Sequence, residues 1–188
     1  MRLRAENALA GDPARRGAAL EAILGQVARL DRLSGELLSM TQRRVPEPVP
    51  VAVDALLRDY AAEQPAGAVR LAVAAPALTA MLDATLLRRV LDNLLENALR
   101  HTPAGGTVTL SAGVEGDMLR ITVADTGPGV APDLRAWLFE PFVSGRADGT
   151  GLGLAIARQL AEAMGGRLFR GDSEHGARFV LEVPWPGC

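Results

Sequence analysis

Residues 84–101, ATLLRRVLDNLLENALRH, place Leu86, Leu87, Val90, Leu91, Leu94, Leu95 and Ala98 at the three- and four-residue spacings of a single helix face. A few residues on, the period changes. GTVTLSAGVEGDMLRITVAD (106–125) alternates as two strands about a Glu115-Gly116-Asp117 turn, a hairpin signal. A chain that passes from a long one-sided helix into a hairpin buries both by laying helix on sheet. Its neighbours fit that plan. VDALLRDYAAEQ (53–64) and residues 154–164 read as helices, and VRLAVAAP, LTAML, GRLFR and ARFVLEV read as strands. The expectation for this part is an α+β fold, a two-layer α/β sandwich of antiparallel strands covered on one face. VPEPVPV (45–51), with three prolines, reads as an extended linker or edge strand.

The N-terminal part is different. Asp12 suits a helix N-cap and Pro13 the first helical position. Leu20, Ile23, Leu24, Val27, Leu30, Leu37 and Leu38 then form a stripe that Leu33 widens, over about seven turns. Residues 1–10 read as the end of a preceding helix that AGDP breaks. The stripe is too broad to stay wet, and a hairpin of this kind covers it best by pairing with a copy of itself as a dimeric four-helix bundle.

Composition removes several classes. With 48% apolar and 22% charged residues the chain is globular, and a net charge of −2 leaves no electrostatic footprint for nucleic acid. The single cysteine, Cys188, excludes an internal disulfide and fits a cytoplasmic setting. No apolar run reaches the ~20 residues that span a bilayer, so no membrane contact is expected of these residues.

Three constellations carry chemistry. In RRVLDNLLENALRHTP, Asn93 and Asn97 lie four apart on one helix face with Arg100 a turn beyond. A buried Asn must be hydrogen-bonded or ligate something, and its oxygen is a hard ligand of the kind Mg²⁺ accepts; surface or capping asparagines are the bland alternative. In ITVADTGPGV a strand ends in Asp125, followed by Gly127 and Gly129. A carboxylate there can accept from an exocyclic amine while the glycines let the backbone lie near a flat ring, although an Asp-initiated turn has the same letters. Gly149, Gly151 and Gly153 open the third helix, where bare N–H groups can meet a polyphosphate. The spacing is not that of a P-loop, and the chain has no lysine.

In order, NLLENALRHT, DTGPG, LFEPF, GTGLGLAI and HGARF resemble the five boxes of the catalytic ATP-binding domain of sensor histidine kinases, over roughly residues 47–186. The resemblance implies the Bergerat ATP-binding fold for residues 45–188, preceded by part of the dimerisation and histidine-phosphotransfer hairpin in residues 1–44. It implies ATP and Mg²⁺ as cofactors, a response-regulator receiver domain as partner and a homodimer through the N-terminal helices. The full-length protein is left either cytoplasmic or anchored in the inner membrane. Asn97 would ligate Mg²⁺ and Asn93 line the same site; Arg100 matches the basic residue reaching the phosphates, and His101 stands beside the nucleotide. Asp125 would read the adenine amine, with Gly127 and Gly129 shaping the ring pocket. Phe139 and Phe142 would anchor a short lid, Val143 to Asp148, whose Arg146 meets the γ-phosphate. Gly149, Thr150, Gly151, Leu152 and Gly153 would line the phosphates, the glycines as a backbone cradle and the Leu152 side chain as packing.

Two departures matter. The family's phosphoryl acceptor is a His followed by an acidic residue, whereas His101 precedes Thr102 and His175 precedes Gly176. Autophosphorylation of this chain is therefore not expected, and a fragment of a longer kinase or half of a split kinase acting in trans both remain open. Ala177 stands where the last box commonly has Thr, which would loosen nucleotide binding. Related ATP-driven clamps hydrolyse ATP with a Glu four residues before the Mg²⁺ Asn. Here that position is Asn93, and a carboxamide is no general base. A nucleotide-regulated interaction module is the third reading.

Overall fold

The structure, a computed structural model, describes residues 17, 20–27, 30, 35, 45–65, 67–143 and 149–185. The chain divides into two compact units, Met1–Gln42 and Arg43–Cys188. The described residues of the first are helical, and their Leu20, Leu24, Val27 and Leu30 are exposed. Asp12, Pro13, Leu33, Leu37 and Leu38, and with them the expected hairpin, lie outside the described residues.

The second unit runs β1 (Val49–Ala52), α1 (Val53–Glu63), β2 (Arg70–Ala74), β3 (Thr79–Leu82), α2 (Ala84–His101), β4 (Thr107–Glu115), β5 (Met118–Asp125), a 3-10 turn (Pro132–Trp137), α3 (Gly153–Ala163), β6 (Arg167–Arg170) and β7 (Arg178–Pro184). Five strands form the main sheet in the order β2-β4-β5-β7-β6. The helices cover one face, which gives the two layers expected. Leu119, Ile121 and Val123 of β5 and Phe179, Leu181 and Val183 of β7 point into the core beneath α2 and α3. Each fully buried leucine or valine there contributes about 1.5–3 kcal/mol.

One feature differs from the antiparallel expectation. β2 pairs with β4 in parallel, Leu71 opposite Val108, because the chain crosses over through β3 and α2 before returning to the sheet. VPEPVPV, expected as a linker or edge strand, supplies β1, which pairs antiparallel with β3 in a separate two-stranded sheet, Val49 opposite Leu82. α2 starts where Asp83 accepts from the N–H groups of Thr85 (2.9 Å) and Leu86 (3.0 Å), satisfying two of the donors a helix start leaves free. None of the described helices is long and apolar enough to cross a membrane.

Candidate nucleotide site

α2 is the spine of the site. Asn93, Asn97 and His101 are spaced four apart, so they stand one above another along about 12 Å of one face. At one end the Asn93 Oδ1 lies 3.1 Å from where a Cβ on Gly153 would sit. At the other end the His101 carbonyl lies 2.8 Å from the corresponding point on Gly127. Gly127 is required by this close approach to backbone, whereas at Gly153 the tight neighbour is a side-chain oxygen. The helix thus joins the loop after β5 to the start of α3, with Asn97 midway.

Asn93 and Asn97 differ in state. The Asn93 Nδ2 donates to the Arg89 carbonyl at 2.7 Å, a bond within its own helix that fixes the amide with its oxygen towards Gly153. Asn97 is half-buried, and among the described residues its amide has no hydrogen-bond partner. An amide without a partner among the described residues keeps its donor and acceptor capacity for a ligand that would complete its shell. Among the described residues no three His, Cys, Asp or Glu side chains gather to hold a metal; a cation here would rest on the Asn97 oxygen and on ligand atoms, as suits Mg²⁺.

Asp125, at the end of β5, is only 6% exposed. Its Oδ1 accepts from the N–H groups of Gly127 (2.8 Å) and Ala177 (3.2 Å), which leaves Oδ2 outside both bonds. The nearby hydroxyls are turned to the backbone: Thr102 Oγ1 donates to the Ala98 carbonyl at 2.7 Å and Thr126 Oγ1 accepts from the Thr107 N–H at 2.9 Å. Oδ2 is thus the carboxylate oxygen left as an acceptor for an amine.

Gly176 is the residue that reading the sequence missed. Its φ is +71°, and a Cβ there would fall 1.7 Å from the Asp125 carbonyl oxygen. A Cβ on Gly129, with φ +77°, would in turn fall 2.9 Å from the Gly176 carbonyl oxygen. The signal was present, since Gly176 lies in the HGARF box, but only the three-dimensional pairing of 125 with 176 gives it a role.

Leu152 is fully buried and serves as packing, while no side chain caps the first turn of α3, so N–H groups of that turn are left for an anion. Thr150 Oγ1 accepts from the Leu152 N–H at 3.4 Å. Gly151, φ +71°, presses against the Phe142 backbone, and the Phe142 N–H donates to the Gly151 carbonyl at 3.0 Å. Phe142 itself is exposed with φ +67°, whereas Phe139 packs edge-on against Phe179 at 6.3 Å. Gly149 is half-buried, and Arg146 lies outside the described residues. Arg100 is not turned to the two asparagines: its Nη2 donates to Glu96 on the outer flank of α2. His101 and His175 are exposed.

These features have counterparts among known proteins. The family described as histidine kinase-, DNA gyrase B- and HSP90-like ATPase matches residues 82–187, more than half of the chain. The chain belongs to this family. Within it, the similar proteins are sensor kinases. The sensor protein RstB of Escherichia coli (strain K12) is 41% identical over 180 residues, which cover 89% of this chain and 39% of RstB. The signal transduction histidine-protein kinase BaeS of the same organism is 38% identical over 114 residues, 57% of this chain and 24% of BaeS. The chain therefore spans well under half the length of these relatives. Among solved structures, full-length ShkA in complex with AMPPNP matches 94% of this chain and 40% of its own, with a TM-score of 0.73 and 35% identity. The ATP-binding domain of PrrB from Mycobacterium tuberculosis matches 74% of this chain and 98% of its own, with a TM-score of 0.61 and 32% identity.

Proposed function

We propose that this chain is the ATP-binding kinase core of a sensor histidine kinase, which passes the γ-phosphoryl group of ATP to a histidine for relay to a response-regulator receiver domain. The observation that carries this reading is the unpaired Asn97 amide, midway along the α2 face that joins the Asp125 loop to the uncapped start of α3. An adenine amine at Asp125 Oδ2 and phosphates at the α3 N-terminus would span that face.

In this reading Asp125 orients the base, with Gly127, Gly129 and Gly176 keeping the backbone clear of the ring. Asn97 would hold Mg²⁺, which when bound neutralises phosphate charge. The N–H groups of Gly149, Thr150, Gly151, Leu152 and Gly153 receive the phosphates, and Arg100 and Arg146 supply positive charge; catalysis of phosphoryl transfer is mostly such positioning. Asn93 aligns the α3 start through its oxygen, with its Nδ2 tied to Arg89. A carboxamide is too weak a base to take a proton from water, which favours transfer over hydrolysis. The acceptor is a histidine other than His101 and His175, and it is carried on a dimerisation helix. The exposed stripe at Leu20, Leu24, Val27 and Leu30 suits pairing with a second copy, and the core works in the cytoplasm.

The test is base and metal selectivity in equilibrium binding. Asn97→Ala should remove the Mg²⁺-dependent part of ATP affinity. Asp125→Asn keeps an oxygen for the Gly127 and Ala177 donors but presents an amine in place of Oδ2. ATP affinity should fall about tenfold or more while inosine triphosphate, with a 6-oxo group, gains. Equal effects on the two nucleotides would remove Asp125 as the base reader.

A further inference from the structure

Arg100 follows Asn97 by three residues and Glu96 by four, so both lie beside it on the preceding turn of α2. In the structure its guanidinium takes the Glu96 side, where Nη2 donates to Oε1. That side opens on a cavity of about 470 Å³ between α1 and α2, lined by Tyr60, Gln64, Asp92 and Leu95 as well as the pair itself. The other acids of this flank already have partners: Asp92 accepts the Tyr60 hydroxyl at 2.9 Å, and Glu63 holds Arg88. Arg100 is the basic partner that the described residues give Glu96. Glu96 and Asn97 are adjacent and diverge by roughly 100° around the helix, so one set of side-chain rotations moves the guanidinium from one seat to the other without moving the backbone.

We infer that Glu96 is a positioning residue that competes with the nucleotide phosphates for Arg100, holding it on the outer flank until a polyphosphate draws it across. This rests on the nucleotide site proposed above. Its consequence is selectivity: the competition lowers affinity for ligands that use Arg100 and leaves a nucleoside untouched. An exposed i,i+4 pair biases its arginine by only about a factor of two, and a ligand needing the minor arrangement loses that factor in apparent affinity.

The experiment is a double-mutant cycle on the full chain, titrated with Mg-ATP and separately with adenosine, each variant checked for an unchanged melting curve. Glu96→Gln should bind ATP about twofold more tightly than the parent, and Arg100→Ala about tenfold more weakly. In the combination of the two the Glu96→Gln gain should vanish, and adenosine affinity should be the same throughout. The inference is overturned if Glu96→Gln leaves ATP affinity unchanged, tightens adenosine equally, or keeps its gain without Arg100. A parent chain that binds neither ligand overturns the nucleotide site itself, a result distinct from any of these.

Discussion

Gly176→Ala should damage the base pocket through a single methyl group. The residue sits at φ +71°, a conformation that costs an L-residue roughly 1–2 kcal/mol. Its Cβ would also fall 1.7 Å from the Asp125 carbonyl oxygen, half the 3.4 Å at which ordinary contact begins, and 2.9 Å from Asp125 Oδ1. The neighbour is backbone and cannot swing aside, so the end of β5 must move and carry the carboxylate with it. Gly116, in the β4–β5 turn, supplies the control: φ is +60° with nothing within 4 Å of its Cβ position. Urea unfolding should give Gly116→Ala the conformational loss alone, roughly 1–2 kcal/mol, and Gly176→Ala clearly more. Binding of a fluorescent ATP analogue should be unchanged in Gly116→Ala. In Gly176→Ala it should weaken about tenfold or more, the worth of one hydrogen bond to a charged group. Equal destabilisation of the two variants with equal nucleotide affinity would refute the argument that Gly176 clears space for Asp125.

Elsewhere in the sheet, Glu182 is 1% exposed and accepts from Arg120 Nε and Arg167 Nε, both at 2.5 Å. Burial alone would raise its carboxyl, but the hydrogen bonds from Arg167 and Arg120 outweigh it and hold the group below the ordinary value of 4.5. A depressed folded-state value means stability that is complete above pH 4.5 and is lost as pH falls through the lower, folded value. The two arginines that cover Glu182 are themselves 37% and 69% exposed, so replacing both by Ala opens the carboxylate to water, and denaturant unfolding at pH 7 should register a loss of about 1–2 kcal/mol. That gap should narrow in acid as Glu182 protonates; a gap independent of pH would contradict the assignment. Leu152→Ala removes a fully buried side chain at the start of α3 and should cost about 2–5 kcal/mol by the same assay. A loss under 1 kcal/mol would mean the site collapses around the cavity.

Most of the architecture can be read from residue spacing because its elements carry strong local signals. The apolar stripe of α2, Leu86 to Ala98, runs over more than three turns, and the Glu115-Gly116-Asp117 turn marks the hairpin. Pairing between distant segments leaves no such mark. The parallel alignment of β2 with β4 depends on the crossover through β3 and α2, and the small β1–β3 sheet on the return of the chain through α1 and β2; strands of four or five residues, one of them bearing Pro50, say little alone. At the site, the asparagines, Asp125 and the glycine clusters stand out because polar or bare residues interrupt apolar runs. The direction of Arg100 does not, since a helix offers it Glu96 and Asn97 from adjacent positions. Nor does the dependence of Asp125 on Gly176, which lie at the ends of different strands.

The central claim, that this site holds Mg-ATP for transfer and not for hydrolysis, is tested most directly by following bound nucleotide and free phosphate together. With γ-labelled ATP and Mg²⁺, the account predicts saturable binding of one ATP per chain, with the label still on the nucleotide and no acid-labile label on the protein. Absence of saturable binding, or phosphate released over many turnovers, would contradict it.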